Sequence, residues 1–386
     1  MYFKEWPFQI IPERIPDVWA DRKHLYKEMC DLFEGLHEKR KSVIACIWGY
    51  YGAGKSHTLL HFKNRLEKEG NLFVYSKIPK QIRCFLDLYR QAFASRLDVV
   101  LLSRIVNKTW RELMQNGTED EAFQTIYNEV SDNWLDFTQA IVAMARATMS
   151  TRYLADPLFR LSISWLMGER LGKRDLMALS VMRNIENDQD GARAIEAIVR
   201  LFCYRKEGTA RSSQVIWSLD DCHFFAKLKD AQRTVIQKGL RDAFDLCPSD
   251  LCLLMSFTSS EAQKIESMLI EDLQALIRRS PFQISELTKK EAIEFVFDLI
   301  NNPRFGKEKR SQEYYPFTKE VLESTIESIH EVDYLTPRNL MIHLDALTKI
   351  GEKRMYPKPV SLDVVKRYFA GISPGRPSTE TEEEEM

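Results

Sequence analysis

No stretch of about 18 consecutive apolar residues occurs in the chain, so a membrane-spanning helix is excluded and no membrane contact is expected. The leading residues, MYFKEWPFQIIPERIPDVW, place an acidic residue and prolines where a secretory signal needs an apolar run, and the chain reads as cytoplasmic. The seven cysteines are scattered and form no C-x-x-C pair, which leaves neither a metal cage nor a disulfide framework to expect. An excess of one charge is also missing: the formal net charge is −1, with 29% charged and 44% hydrophobic residues, as in a soluble globular protein. What asymmetry exists lies in the last sixteen residues, which hold five glutamates and one arginine and leave the rest near +3. That remainder is too small to establish nucleic-acid binding, yet it is compatible with a local basic face. The acidic tail reads as a solvating segment without a core of its own. No fixed-period repeat suggests a solenoid, and neither a Ser/His/Asp elbow nor a glycosidase carboxylate pair stands out.

What is present fits one large or two ordinary domains in 386 residues. A helix is expected over Arg22–Lys39, with apolar positions at Leu25, Met29, Leu32, Phe33 and Leu36. Val43–Trp48 (VIACIW) is a short, wholly apolar run suited to the centre of a parallel sheet. A glycine-rich turn, a helix over Lys55–Glu69 and a strand over Asn71–Ile78 complete a βαβ unit. Helical periodicity then dominates from about 81 to 207, with helices expected at 82–104, 106–115, 119–130, 132–149, 157–170 and 190–205. Strands return at Gln214–Leu219 and Leu251–Phe257, around a helix at 229–245, and Phe282–Ile284 is a short edge candidate. Helices are expected again at 288–301, 317–330, 336–350 and 361–369.

Between the first strand and its helix, Gly49-Tyr50-Tyr51-Gly52-Ala53-Gly54-Lys55-Ser56 satisfies G-x-x-x-x-G-K-[ST] without a mismatch. Glycines let the backbone curl so that successive N–H groups point at phosphate oxygens, and the helix start adds free N–H groups and its dipole. Lys55 would reach the β- and γ-phosphates of ATP, and Ser56 would give its hydroxyl to magnesium. His57 follows on the same helix and either borders the nucleotide or simply packs. The VIWSL strand ends on Asp220-Asp221. Asp220 is the candidate magnesium ligand, and Asp221 the group that orients or deprotonates the attacking water. The competing reading is an aspartate pair capping the next helix.

This order of motifs resembles the AAA+ ATPases, in particular the origin-recognition and transposition-regulator branch. The resemblance implies an α/β parallel sheet with a large helical insertion and a C-terminal helical lid. It implies a γ-phosphate sensor at Thr258, with Ser259 as the alternative. It also implies an arginine offered to a neighbouring subunit, for which Arg278 and Arg279 before SPFQI are the candidates, and a lid arginine at Arg338 in Leu335–Leu340 (LTPRNL). Asp21-Arg22 resembles the family's N-terminal box without its glycine, and most such ATPases carry glutamate where Asp221 stands. The segment Leu161–Leu179 (LSISWLMGERLGKRDLMAL) is similar to one in the ATP-binding proteins of BREX-type phage-defence loci.

Ser56 and Asp220 are 164 residues apart, whereas two βα units take roughly 60–80, so about 100 residues are inserted. The insertion serves either as a platform for DNA or a partner or as a helical layer enlarging the core. Lys39–Lys41 and Arg304–Arg310 are basic clusters that read as solvated loops, or as channel-lining loops in a ring. His223 follows the aspartate pair and is placed to hydrogen-bond there; Trp134, Phe137 and Trp165 read as core. The expected organisation is a leading segment over 1–42, an ATPase core over 43–287, a lid over 288–370 and an acidic tail over 371–386. The function expected is an ATPase that self-assembles with ATP, engages double-stranded DNA and works with protein partners. Its rivals are a nucleotide switch with a protein ligand and, less well matched, a small-molecule phosphotransferase.

Overall fold

The computed structural model describes residues 2–8, 19–20, 22–39, 41–115, 117–150, 152–204, 213–278, 281–307 and 312–372. Asp21, Arg40, Arg279, residues 308–311 and the tail from 373 lie outside the described residues.

The chain opens with α1 (Lys23–Lys39), β1 (Val43–Gly49), α2 (Lys55–Lys68) and β2 (Leu72–Lys77). Helices follow: α3 (Phe85–Leu88), α4 (Val99–Met114), α5 (Glu119–Thr125), α6 (Leu135–Thr148), α7 (Pro157–Leu166), α8 (Lys173–Leu179) and α9 (Asp188–Cys203). Then come β3 (Val215–Asp220), α10 (Asp230–Leu246), β4 (Leu251–Thr258), α11 (Ala262–Ser267), α12 (Glu271–Ile277) and β5 (Pro281–Ile284). Four helices close the chain: α13 (Lys289–Asn301), α14 (Lys319–Val332), α15 (Pro337–Arg354) and α16 (Leu362–Phe369).

The five strands form one parallel sheet in the order β2-β3-β4-β1-β5. Period-2 alternation sorts each strand between two faces. Ala45, Ile47, Phe73, Ile216 and Leu254 face α1 and α2. Val74, Val215, Trp217, Leu253 and Met255 face the other way, into a core shared with α9, α10 and the inserted helices. The segment between β2 and β3 is therefore a helical layer continuous with the sheet's own core. Trp134, Phe137 and Trp165 are buried in it, as their periodicity indicated.

The expected helix over 82–104 is broken in two. Tyr89–Phe93 is a π-turn, and Asp98 starts a new helix by accepting hydrogen bonds from the N–H groups of Val100 (2.8 Å) and Leu101 (3.0 Å). Such a cap contributes about 1 kcal/mol, enough to set a boundary that periodicity alone blurs. The helix expected over 157–170 stops at Leu166, and α8 was not anticipated.

The C-terminal helices have a separate core, joined by Tyr2, Phe3 and Phe8. Tyr2 OH donates to Lys358 O (2.8 Å), and Trp6 Nε1 donates to Asp345 Oδ1 (2.8 Å). The first residues thus pack on the lid, although α1 packs on the sheet. The architecture is α/β, a parallel sheet with a P-loop motif between β1 and α2, a helical layer between β2 and β3 and a C-terminal helical lid.

Candidate nucleotide site

At the carboxyl end of β1 the chain turns through the glycine-rich loop into α2. Gly52 and Gly54 adopt φ of +78° and +103°, which side chains with a Cβ rarely tolerate. Gly54 stands at the N-cap of α2, where no side chain occupies the free N–H groups. Lys55 is buried and donates from Nζ to Gly49 O (2.9 Å) and Tyr50 O (2.8 Å). Burial pushes its pKa down to about 8, against the pull of Asp220 and Asp221.

Strand β3 delivers Asp220 to the same place. Ser56 Oγ donates to Asp220 Oδ2 at 2.6 Å, joining the loop to the acidic strand end across 164 residues of sequence. Tyr75 OH donates to the same oxygen (2.7 Å), Ser256 Oγ donates to Oδ1, and the Asp221 N–H also reaches Oδ1 (3.0 Å). Burial, the largest influence, raises the Asp220 pKa, but the hydroxyls of Ser256, Ser56 and Tyr75 outweigh it and hold the carboxyl below its ordinary value. Asp220 is therefore a buried carboxyl held toward its ionised form, with oxygens of the kind a metal ion takes.

Asp221 sits just beyond the strand with φ of +60°, so its side chain departs in a different direction. Lys77 Nζ, from the end of β2, pairs with Asp221 Oδ2 at 2.7 Å. Thr258, in register with Gly49, borders the same cavity. Ser259 is committed elsewhere: its N–H donates to Gly49 O (3.2 Å) and its Oγ to Glu261 O (2.8 Å). Of the two residues, Thr258 is the one that borders the cavity.

The lid closes over the loop. Thr336 caps α15 by accepting from the Asn339 N–H (3.3 Å), which puts Pro337 and Arg338 in the first turn. The Arg338 N–H meets Gly52 O (3.4 Å), its guanidinium donates to Tyr51 OH (2.8 Å) and lies 4.7 Å from that ring's centre. Tyr50 stacks on Tyr334 at 5.0 Å. A cavity of about 430 Å³ opens between loop, lid and leading segment. Lys55, Ser56, Asp221 and Thr258 line it among the polar residues, and Trp19, Ala53, Phe295, Leu299 and Met341 among the apolar ones. That division fits a triphosphate joined to a base. A cavity of about 490 Å³ at the other end of α2, beside Cys30 and Arg65, has none of the phosphate-binding elements.

The donor set fits magnesium. Ser56 and Asp220 are hard oxygen ligands, and no cluster of three His, Cys, Asp or Glu side chains stands among the described residues. An ion held there would neutralise charge on the phosphates.

Not every expected residue joins this site. Arg278 makes a two-pronged ion pair with Glu266 (2.7 and 2.6 Å), instead of the contacts with Glu271 or Asp272 weighed against the finger role, and does not line the cavity. His57 lines the cavity, with its ring 6.2 Å from Trp19. His223 does not bond to the aspartate pair through Nδ1, which is buried without a hydrogen-bond partner. Sequence reasoning missed Tyr75, Lys77 and Ser256. The one available signal was a serine within the apolar run LLMSF, since a buried hydroxyl requires a partner.

No family model matches the chain, and no curated protein matches it. The solved structures similar in shape include these three. Drosophila ORC bound to DNA matches at 10% identity over 94% of this chain and 65% of that one, with a TM-score of 0.47. The Aeropyrum pernix ORC1 protein in complex with DNA matches at 12% over 95% and 69% (0.48). The Aeropyrum pernix ORC2 protein, in ADPNP–ADP complexes, matches at 12% over 99% and 75% (0.48). The chain spans about two thirds of the Drosophila chain's length. At these identities and TM-scores the likenesses carry no argument about function, and the fold assignment rests on the strand order and the phosphate loop.

Proposed function

We propose that the chain is an ATP-binding and hydrolysing AAA+-like ATPase that acts on or with DNA. In this reading it assembles with ATP and recruits or activates partner enzymes in phage defence, DNA modification or transposition. The observation that carries the ATPase reading is the 2.6 Å bond between Ser56 and Asp220, which unites the phosphate loop with a buried, ionised strand end. Around it, loop N–H groups and Lys55 bind the β- and γ-phosphates. Asp221 orients and deprotonates water, while Thr258 and Arg338 contact the γ-phosphate. Magnesium held at Ser56 and Asp220 supplies charge neutralisation. Asp221 is one methylene shorter than the usual glutamate, so turnover is slow until a ligand stimulates it.

The DNA part rests on charge placement. Lys80 and Arg83 follow β2, and Lys227 and Lys229 follow the neighbouring β3. Because the sheet is parallel, these cations follow the carboxyl ends of their strands, the end of the sheet that also carries the phosphate loop, where a nucleic-acid backbone would meet them. The defence setting rests on the Leu161–Leu179 resemblance alone. ATP turnover with and without duplex DNA tests the reading: stimulation that fades between 50 and 200 mM salt is expected. Turnover unaffected by DNA at every salt concentration would favour the switch with a protein ligand.

A further inference from the structure

Met177 and Met182 are the most exposed large apolar side chains among the described residues, at 79% and 81%. Both belong to the α8 corner of the inserted layer, within and just beyond the Leu161–Leu179 stretch. The backbone beneath them is tightly held. Trp165 Nε1 donates to Arg183 O (2.9 Å). Asn184, buried, accepts from the Leu171 N–H (2.9 Å) and donates back to Leu171 O (3.1 Å), tying the two ends of the segment together. Asp136, also buried, accepts the Met182 N–H (2.8 Å), and Arg183 pairs with Asp190 through both prongs (2.8 and 2.7 Å). Leu135, beside Asp136, is itself 42% exposed.

So much buried polar fixation gives the turn one conformation, and that conformation points two methionines into water. Packing does not require them there, because Val181 and Ile185 already supply the buried apolar contacts. Methionine is the apolar side chain best able to adapt to a partner's surface. Arg170, Lys173 and Arg174 flank the pair, are exposed, form no ion pair with any described residue, and outnumber the neighbouring carboxylates Glu169 and Asp175. None of these residues lines the nucleotide cavity.

We propose that this corner is a docking surface for an acidic segment of a partner protein that carries apolar side chains. The cations select carboxylates, and the methionines and Leu135 take the apolar anchors. The chain's own residues 373–386 offer five glutamates but only Met386 as a large apolar side chain, so they match the charge and not the apolar pair. Nucleic-acid phosphates would use the cations and leave both thioethers in water.

A phage-displayed library of random 16-residue peptides tests this on the full-length protein, with counter-selection on a Met177→Ser/Met182→Ser variant. Enriched peptides are expected to combine Asp or Glu with Leu, Ile, Phe or Trp. A synthetic copy of the best one should bind at least tenfold more weakly to that variant and to Lys173→Glu/Arg174→Glu. Basal ATP turnover and melting temperature should be unchanged in both variants. No enrichment over the variant, or enriched peptides lacking acidic residues, would overturn the proposal. So would a peptide of residues 373–386 binding as tightly as the best one, or a duplex DNA affinity that falls with the methionine changes. A self-association abolished by the same changes would make the corner an interface between copies, and would equally overturn it.

Discussion

At the scale of single residues, the site stores an electrostatic conflict that can be measured. Lys55 loses its proton near pH 8 in the folded chain, whereas the unfolded chain holds it to about 10.5. Between those values the unfolded state binds more protons, so stability rises with pH across that window. Relative to Lys55→Met, the wild-type protein is therefore expected to gain melting temperature from pH 8 to 10, and parallel profiles would contradict the buried cation. The triphosphate needs the charged form, so ATP affinity should hold up to about pH 8 and fall above it. Lys55→Ala should lose nucleotide binding with little loss of fold. Asp221 gives the complementary test. Asp221→Asn should bind ATP normally and turn it over roughly a hundred- to ten-thousandfold more slowly, as expected for loss of a general base. Lys77 competes for that carboxylate at 2.7 Å, so Lys77→Ala should raise basal turnover several-fold; a fall would assign Lys77 to phosphate binding instead.

At the scale of elements, the phosphate loop and the lid helix are built against each other. A Cβ on Gly52 would lie 2.8 Å from Arg338 Cβ and 3.1 Å from Thr336 Oγ1, in a backbone conformation already unfavourable to alanine. Gly52→Ala should therefore displace α15 and weaken ATP binding at least tenfold by titration, while Gly35→Ala, with open space around it, should leave affinity unchanged. Legibility divides along similar lines. The central strands β1, β3 and β4 were readable because each is a short, largely apolar run buried on both faces, β5 only as a short edge candidate because its burial alternates, and the loop because its eight residues are themselves the chemistry. The inserted helices were readable as a helical region but not in their joints. Asp98 overrides periodicity, and α8 and the turn after it present exposed methionines where a pattern reader expects either core or charge. Lys77 was hidden for another reason: in LFVYSK nothing announces that the last residue meets Asp221, because that contact depends on β2 pairing with β3 across the whole insertion.

At the scale of the whole molecule, the open question is how one chain completes its site. Arg278 caps the end of α12, three residues before β5, the sheet edge beside β1. It is 59% exposed, stays out of its own chain's cavity and pairs with Glu266 on the surface. An exposed pair of this kind is weak and screened by salt, so a phosphate from another subunit can displace it. An arginine supplied in trans would stabilise charge on the transferring phosphoryl group, an effect of roughly 10³–10⁵ in rate in other phosphoryl-transfer enzymes. ATP should accordingly drive self-association, visible as a shift in sedimentation that Lys55→Ala abolishes. Mixing then separates action in trans from a surface role. Arg278→Ala/Arg279→Ala and Asp221→Asn proteins should each be inactive alone. Combined, they should regain turnover, because one of the interfaces they form pairs an intact Asp221 with an intact arginine. Turnover that stays absent at every ratio, together with a monomer in saturating ATP, would leave the Arg278–Glu266 pair as ordinary surface structure and the chain as a monomeric switch.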